Sequence, residues 1–574
     1  MFGRIDRFVV PAVLAATVAV FLVVFGYPVG LVFAESVLID GELSLAVFRR
    51  LLTDEFYVGT LATLVTNPTR LLSGGVELGL FGFTAYQAAL STAASVLLGV
   101  PGAYLLARFE FPGRRTVRSL TALPFVMPSI MVAIGFVATF GENGVLNTAL
   151  RALGLPTVEI LFTLQVIVLA HAFYDAPLVA RVTAAAWEGI DAETTETARS
   201  LGASRLAAFR HVVLPQLVPA ILTGALLTFL FSFSSFAIVL ALGGLQLATV
   251  EVWVFHSVEQ LDYATATGVA VLETVVSLGV TFAYLRYEAR QRANRSGSGP
   301  SRKPLFGGLS VDRVAVWGYV AVAAVVFVLP LASMVAASLT GPDGVTLRHY
   351  AFLVARQSEA YAFQVRPLNA IRNSLLFGVG TLALAVPMGV AFAVVSSRGG
   401  RGSTLVETLA LAPFAVSGVV VGLGLLRGLV FGTELFGYRI TVTGAVAIVA
   451  AHAVGAYPFV TRSVAPALAG TDERFRESAR ALGASRLRVL VDVELPLVAP
   501  SVLAGAAFAF AVSVGEFDST VILATGTNAY TMPVAVERFL GRRLGPATAM
   551  GTILLLVTGA SFVTIDRFGG WVDG

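Results

Sequence analysis

The chain has no cysteine and a single lysine, Lys303, among its 574 residues. Without cysteine there can be no disulfides, thiolate metal sites, iron–sulfur clusters or cysteine nucleophiles. A phosphate-binding loop of the Gly-Lys-Ser/Thr type needs a lysine after glycine. Lys303 stands instead in Ser-Arg-Lys-Pro, so any ATP that drives this protein must be bound on another chain. Charge is also scarce: 13% of the residues are Asp, Glu, Lys or Arg, against about a quarter in soluble domains. The 39 basic and 35 acidic residues leave a net charge of +4. That excess is too small for a nucleic-acid footprint and concerns membrane orientation instead. The five histidines (171, 211, 256, 349 and 452) form no His-Glu-x-x-His pattern, and no catalytic constellation is legible.

Hydrocarbon is what the chain has in abundance. Hydrophobic residues make up 56% of it, and the mean hydropathy is +0.83. Apolar runs lie near residues 8–33, 80–106, 119–140, 158–181, 214–242 and 264–286, and again near 314–339, 374–396, 405–430, 442–464, 496–524 and 546–568. Each is long enough for a membrane-spanning helix, and lipid cannot satisfy the open backbone of any other structure with runs this apolar. The expected fold is an all-α polytopic membrane protein of about twelve transmembrane helices, with kinks tolerated at prolines such as Pro124 and Pro128. The first run ends near Val32-Phe33-Ala34, which loosely resembles a cleavage site, but the run is longer than a signal-peptide core.

Arginine placement sets the expected orientation. Arg4, Arg7, Arg108, Arg114, Arg115, Arg118, Arg398 and Arg401 fall on one side of a twelve-span count, and the positive-inside rule makes that side cytoplasmic, with both termini there. The acidic segment Glu251–Asp262 suits the outside, whereas Arg348, Arg356, Arg366 and Arg372 run against the rule. Residues 287–313, rich in Arg, Ser and Gly, read as a polar cytoplasmic linker between a first repeat (1–286) and a second (314–574).

The two parts are copies. Glu196-Thr-Ala-Arg-Ser-Leu-Gly-Ala-Ser-Arg-Leu206 and Glu477-Ser-Ala-Arg-Ala-Leu-Gly-Ala-Ser-Arg-Leu487 agree at nine of eleven positions, an offset of 281. His171 and His452, Pro177 and Pro458, Asp191 and Asp472, Pro215 and Pro496, and Phe236 and Phe517 pair at that offset. Six spans being an even number, the repeats are parallel and related by an axis along the membrane normal, with a path between them as the natural translocation route. Segments 191–215 and 472–496 read as a helix, a turn and a second helix. Asp191 or Asp472 caps the first helix, Gly202 or Gly483 ends it, and Ser204 or Ser485 caps the second. Leu206, Phe209 and Val212, like Leu487, Leu490 and Val493, should then face the bundle. A DNA-type helix-turn-helix shares the central glycine, but membrane spans flank both copies and no basic recognition face follows.

The spacing of Glu196, Ala198, Gly202, Val212, Leu214 and Pro215, repeated in Glu477, Ala479, Gly483, Val493, Leu495 and Pro496, resembles the coupling motif of ATP-binding cassette importer permeases. Thr197 or Ser478 stands where that motif has a middle alanine. The resemblance covers essentially the whole chain and implies a fused pair of type I importer permease domains. It implies that each motif docks on a cytoplasmic ATPase, with Arg199 and Arg480 adding charged contacts. Two ATPase copies would bind ATP and magnesium, this chain would carry no cofactor, and one external binding protein would select the solute. Phe233–Gly244, Thr249-Val-Glu251, Asp262-Tyr263, Gly515-Glu516-Phe517 and Tyr530-Thr-Met-Pro533 are similar to the thiamine branch of that family, which favours thiamine or a thiamine phosphate, with ferric iron as the alternative. An ion-driven carrier also fits twelve spans in two parallel repeats, although the duplicated motif argues against it.

Ionisable residues inside spans are costly and are functional candidates. His171 and Asp175, four apart, could form a neutralised pair. Glu273, Glu516 and Asp518 are further candidates; Glu516 and Asp518, toward the outer end of the eleventh span, are the better candidates for a cation path, and Asp175 is a further substrate-pathway candidate. Ser232, Ser234 and Ser235 could line a path or cement helix contacts. The equivalent positions of His171 and His452 suggest a packing or hydrogen-bonding role shared by the repeats rather than metal ligation.

Overall fold

A computed structural model describes residues 2–39, 41–60, 77–121, 127–291, 302–306, 310–356, 365–398, 412–435, 437–524 and 526–569. Pro124, Arg401, residues 405–411 of the ninth apolar run and residues 292–301 and 307–309 of the 287–313 segment lie outside the described residues.

The fold is all-α and polytopic. The first repeat contributes α1 (Ala12–Val37), α2 (Gly79–Arg108), α3 (Ser129–Ala152), α4 (Leu164–Glu188), α5 (Arg205–Phe233) and α6 (Tyr263–Tyr284). The second contributes α7 (Asp312–Ser338), α8 (Pro367–Arg398), α9 (Gly418–Val430), α10 (Gly444–Ala469), α11 (Ala499–Gly515) and α12 (Leu544–Arg567). Among the described residues, ten of these are long and apolar enough to cross a membrane alone. α11 follows Arg486–Leu497 through a bend of 76°, and α9 is shorter than a full span.

The helices depart from the apolar runs at residues that interrupt α-helix. The third run begins at 119, yet α3 starts only after Pro128, whose extended backbone (φ −60°, ψ 132°) opens the helix. Pro128 is therefore not a kink within a span. The fifth run stops at Phe233 and resumes as a separate short helix, Ala237–Gly243. The eleventh stops at Gly515 and resumes as Asp518–Leu523. Ser234 and Gly515 are equivalent at the 281 offset, so both repeats break at the same place. The segment 250–259, expected as an outer loop, is a helix (Val250–Glu259).

Apolar side chains gain little by leaving lipid for one another, so spans associate through close backbone packing at small residues. A Cβ on Gly224 would lie 3.3 Å from Val179 Cα, and one on Gly505 3.0 Å from Val460 Cα. Those two contacts are copies at the 281 offset. On the other face of α4, a Cβ on Gly99 would come 2.7 Å from Ala176 O, and in α8 one on Gly389 would come 2.9 Å from Tyr457 O. Each repeat thus has a tight three-helix core of α2, α4 and α5, or α8, α10 and α11.

The first span of each repeat packs on the third span of the other. A Cβ on Gly135 of α3 would meet Pro330 O of α7 at 2.9 Å, and one on Gly424 of α9 would meet Pro28 Cβ of α1 at 3.0 Å. The second crossing is also held by charge: Arg427 donates from Nε to Glu35 Oε2 and from Nη2 to Glu35 Oε1, both at 2.9 Å. Its guanidinium lies 4.6 Å from the centre of the Tyr263 ring. The repeats are interlocked rather than merely adjacent.

The α6 helix continues to Gln291, and Lys303–Pro304 pairs in parallel with Phe109–Glu110. Arg302 reaches Glu188 at 3.2 Å, so the segment between the repeats is fastened to the first of them.

The packing at Gly424 gives a stability test. Gly424→Val should cost about 1–3 kcal/mol by overpacking against Pro28, read as a lowered apparent unfolding temperature of the detergent-solubilised protein. Gly279→Val, where a Cβ would meet nothing within 4 Å, should leave that temperature unchanged.

Candidate functional site: paired surface helices and a buried polar centre

In both copies of the repeated segment the local sequence satisfies the backbone at each helix end. Asp191 accepts from Glu193 N–H at 3.1 Å, and Asp472 from Arg474 N–H at 2.9 Å. These caps open the helices Ala192–Ser200 and Glu473–Ala481. Gly202 (φ +94°) and Gly483 (φ +84°) hold the left-handed conformation that ends them. Two bonds close each end. Ala203 N–H donates to Ala198 O at 3.1 Å and Gly202 N–H to Arg199 O at 3.1 Å. In the second copy Ala484 donates to Ala479 O at 3.0 Å and Gly483 to Arg480 O at 2.9 Å. Ser204 and Ser485 then cap the helices that follow, accepting at 3.1 and 3.2 Å.

Neither first helix buries a residue. Glu196, Arg199, Glu477 and Arg480 are exposed, Ala198 and Ala479 half-buried. At each tip a leucine is left in the open, Leu201 at 84% and Leu482 at 89% exposure. Leu214 and Leu495 are half-buried, and Pro215 and Pro496 exposed, just after the π-helical turns Phe209–Val213 and Leu490–Glu494. The face expected to meet the bundle is partly different. Leu206 is exposed, whereas Phe209 stacks on Trp187 and Ala208 and Val213 are buried. A π-helical turn over Phe209–Val213 adds a residue to the turn and shifts the face.

A buried carboxylate anchors the second of these segments, and a half-buried one ties down the end of α4 just before the first. Glu494, 2% exposed, binds Arg398 from the end of α8 and Arg476 from the surface helix, each at 2.8 Å. In the first repeat Glu188 binds Arg114 at 2.6 Å, Arg118 at 3.1 Å and Arg302 at 3.2 Å. The sequence shows Arg114, Arg118 and Arg398 only as an orientation signal; their acidic partners lie 70 to 96 residues away along the chain.

A second polar centre lies inside the bundle, where α5 and α11 break. His171 and His452 share a bond through Nδ1, to Ser91 Oγ at 3.0 Å and to Ser513 Oγ at 2.8 Å. Their Nε2 atoms differ. His452 Nε2 meets Glu516 Oε2 at 3.1 Å and Thr520 Oγ1 at 2.8 Å, while His171 Nε2 is buried without a partner. His171 does not pair with Asp175, as its spacing suggested. Asp175 instead accepts from Ser232 Oγ at 3.0 Å, and Gln87 donates to Ser232 O at 2.6 Å.

Glu516 and Asp518 have separate surroundings. Glu516 accepts from the N–H groups of Ser519 (2.7 Å) and Thr520 (3.1 Å), so it caps the short helix after the break. Asp518 opens that helix and lies beside Gly418. Ser234 donates to Glu273 Oε1 at 3.0 Å, and Ser235 is half-buried, its carbonyl accepting from Thr249. Glu251, which the sequence places in an outer loop, is fully buried. Ser417 and Glu273 approach it without completing a hydrogen bond of good geometry. Phe236 and Phe517, equivalent by the repeat, stack on each other with ring centres 5.5 Å apart and planes at 16°, and so lie on the axis relating the repeats. Among the described residues no three His, Asp or Glu side chains are placed to hold a metal ion.

The family described as "Binding-protein-dependent transport system inner membrane component" matches twice, over residues 99–293 and 385–570. The chain is 29% identical over 501 residues to the thiamine transport system permease protein ThiP of Brucella abortus, covering 84% of this chain and 86% of that protein. It is 26% identical over 470 residues to the "Probable ABC transporter permease protein y4fN" of Sinorhizobium fredii, covering 79% and 80%. Similarity to the "Putative 2-aminoethylphosphonate transport system permease protein PhnU" of Salmonella typhimurium is 28% over 278 residues, 48% of this chain and 88% of that protein.

The anchoring of the second surface helix is testable. Glu494→Gln leaves two arginines without their carboxylate, which should loosen the Glu473–Ala481 segment by about 1–3 kcal/mol, allowing for the partial exposure of both arginines. Amide hydrogen exchange should quicken there and remain unchanged over 192–200.

Proposed function

Because the chain belongs to the family of inner membrane components of binding-protein-dependent transport systems, we propose that it is a fused, two-repeat permease subunit of an importer that moves thiamine or a thiamine phosphate. The observation that carries this reading is the duplicated surface helix, capped at both ends, with a leucine at its tip exposed at 84% and 89% in the two copies. Exposed apolar side chains on a rigid, prepaid backbone are what a docking partner buries at little entropic cost.

In this reading each copy seats on one subunit of a cytoplasmic ATPase pair, and both chain termini lie on that side. Glu196, Ala198, Arg199 and Gly202, with Glu477, Ala479, Arg480 and Gly483, form the contacts, and Leu214, Pro215, Leu495 and Pro496 carry the motion into α5 and α11. The ATPases hold ATP and magnesium. Closure of the ATPase pair draws the two surface helices together, and the three-helix cores tilt as rigid bodies because their backbones are in contact. The path between the repeats then opens outward to an external solute-binding protein. Hydrolysis returns it inward.

Thiamine is favoured by the resemblance of the segments 233–244, 249–251, 262–263, 515–517 and 530–533, and by similarity to ThiP along both repeats. The likeness to PhnU spans about half the chain.

The test is ATP hydrolysis in proteoliposomes holding this chain, its ATPase and its binding protein. Thiamine should stimulate hydrolysis, and ferric iron and 2-aminoethylphosphonate should not. Stimulation by either of those alone would keep the importer and replace the solute. An ATPase that fails to associate would leave an ion-driven carrier. Gly202→Pro and Glu477→Lys should each abolish solute-stimulated hydrolysis while the chain still inserts in the membrane; normal coupling in both would refute the docking role of these helices.

A further inference from the structure

Where α5 and α11 break, carboxyl groups from both repeats gather, approached by one another and by Ser417, with buried oxygens that complete no hydrogen bond of good geometry. Glu251 on Val250–Glu259 is fully buried, and neither of its oxygens has a hydrogen-bond partner. The charged groups that face it, Glu273 of α6 and Asp518 beyond α11, are both acidic. Glu273 Oε2 and Asp518 Oδ1 are likewise buried and without partners. Carboxylates enclosed in a protein within lipid are strongly unfavourable unless something neutralises them. Here Glu251 and Glu273 of the first repeat approach each other, and Asp518 of the second repeat faces Glu251.

Aromatic faces stand beside it. One turn along from Glu251, Phe255 packs edge-on against Phe236, ring centres 5.2 Å apart. Phe236 in turn stacks on Phe517 of the other repeat. Phe517 directly precedes Asp518 in the chain, so rings and carboxylates are carried by the same short segments. Ring faces attract organic cations, and adjacent carboxylates supply the compensating charge. A bare metal ion would instead require oxygens converging at coordination distance.

We propose that Glu251, Glu273 and Asp518, together with Phe236 and Phe517, form a transit site for an organic cation between the two repeats. The inference rests on the permease reading and specifies its solute class: a positively charged molecule with an organic surface. The stacked pair closes the site in the present conformation. Because Phe236 and Phe517 belong to different repeats and meet on the axis between them, moving the repeats apart exposes both ring faces at the moment the path opens. A passing cation then replaces one ring by its own surface and neutralises carboxylates from both sides. Its release allows the rings to meet again.

The experiment is uptake of radiolabelled thiamine into proteoliposomes containing the full transporter, with the wild-type chain and with Glu251→Gln, Asp518→Asn, Glu251→Asp and Phe236→Leu. Co-purification with the ATPase identifies any variant that has failed to fold. Uptake should fall at least tenfold in Glu251→Gln and in Asp518→Asn, recover in part in Glu251→Asp, and fall severalfold in Phe236→Leu. Wild-type uptake of thiamine that persists unchanged in Glu251→Gln and Asp518→Asn would overturn the site and leave the permease reading intact. A wild-type complex that couples ATP hydrolysis to 2-aminoethylphosphonate and not to thiamine would overturn the cation class, again without touching that reading. A chain that neither binds an ATPase nor transports would remove the permease reading itself, and the site with it.

Discussion

Hydrocarbon offers no partner to an N–H, a C=O or a charge, and that constraint reaches every part of this protein. It forces the backbone into helices. It also removes the usual drive for those helices to associate, because lipid solvates leucine as well as another leucine does. Association then depends on backbones that can come close, and the glycines at 99, 224, 389 and 505 permit it. Each lets a neighbouring helix approach to within a distance that a side chain would forbid. The interlocking of the repeats uses the same device at Gly135 and Gly424, against prolines of the opposite repeat. Where a charge does enter, as in the Glu35–Arg427 pair, it is met by a two-pronged partner and an aromatic face.

The duplication preserves this scaffold and lets the interior diverge. Both copies of the surface helix have the same caps, the same left-handed glycine and the same pair of closing bonds. Both histidines bind a serine through Nδ1, although from different helices, Ser91 on α2 and Ser513 on α11. Beyond that the repeats part company. Glu516 and Thr520, which satisfy His452 Nε2, are replaced in the first repeat by Ser235 and Val239, and His171 Nε2 is left without a partner. An acid appears one turn away instead, at Asp175, where the second repeat has Ala456. A symmetric frame therefore encloses an asymmetric polar interior.

The surface helices were the most legible part of the chain, because caps and turns depend on residues within four or five positions of one another. Asp191, Ser204 and Gly202 announce their roles locally. The exposed side of Leu206 was not legible, since the π-turn at 209–213 that shifts the face leaves no simple sequence signature. Nor was the burial of Glu251. An acidic residue between two apolar runs reads as loop, and only the return of the helix Val250–Glu259 into the bundle takes it out of water.

Sequence alone determined the all-helical membrane fold, the two parallel copies and the positions of the surface helices, because hydropathy, repetition and capping are written in residues that are near one another or identical at a fixed offset. Tertiary structure decided which span packs on which, that each repeat lends its first helix to the other, and which carboxyl groups meet. Glu35 finds Arg427 across 392 residues of chain, and Phe236 finds Phe517 across 281. Contacts that distant are set by how whole helices pack, a collective outcome of many small surfaces that no local pattern encodes.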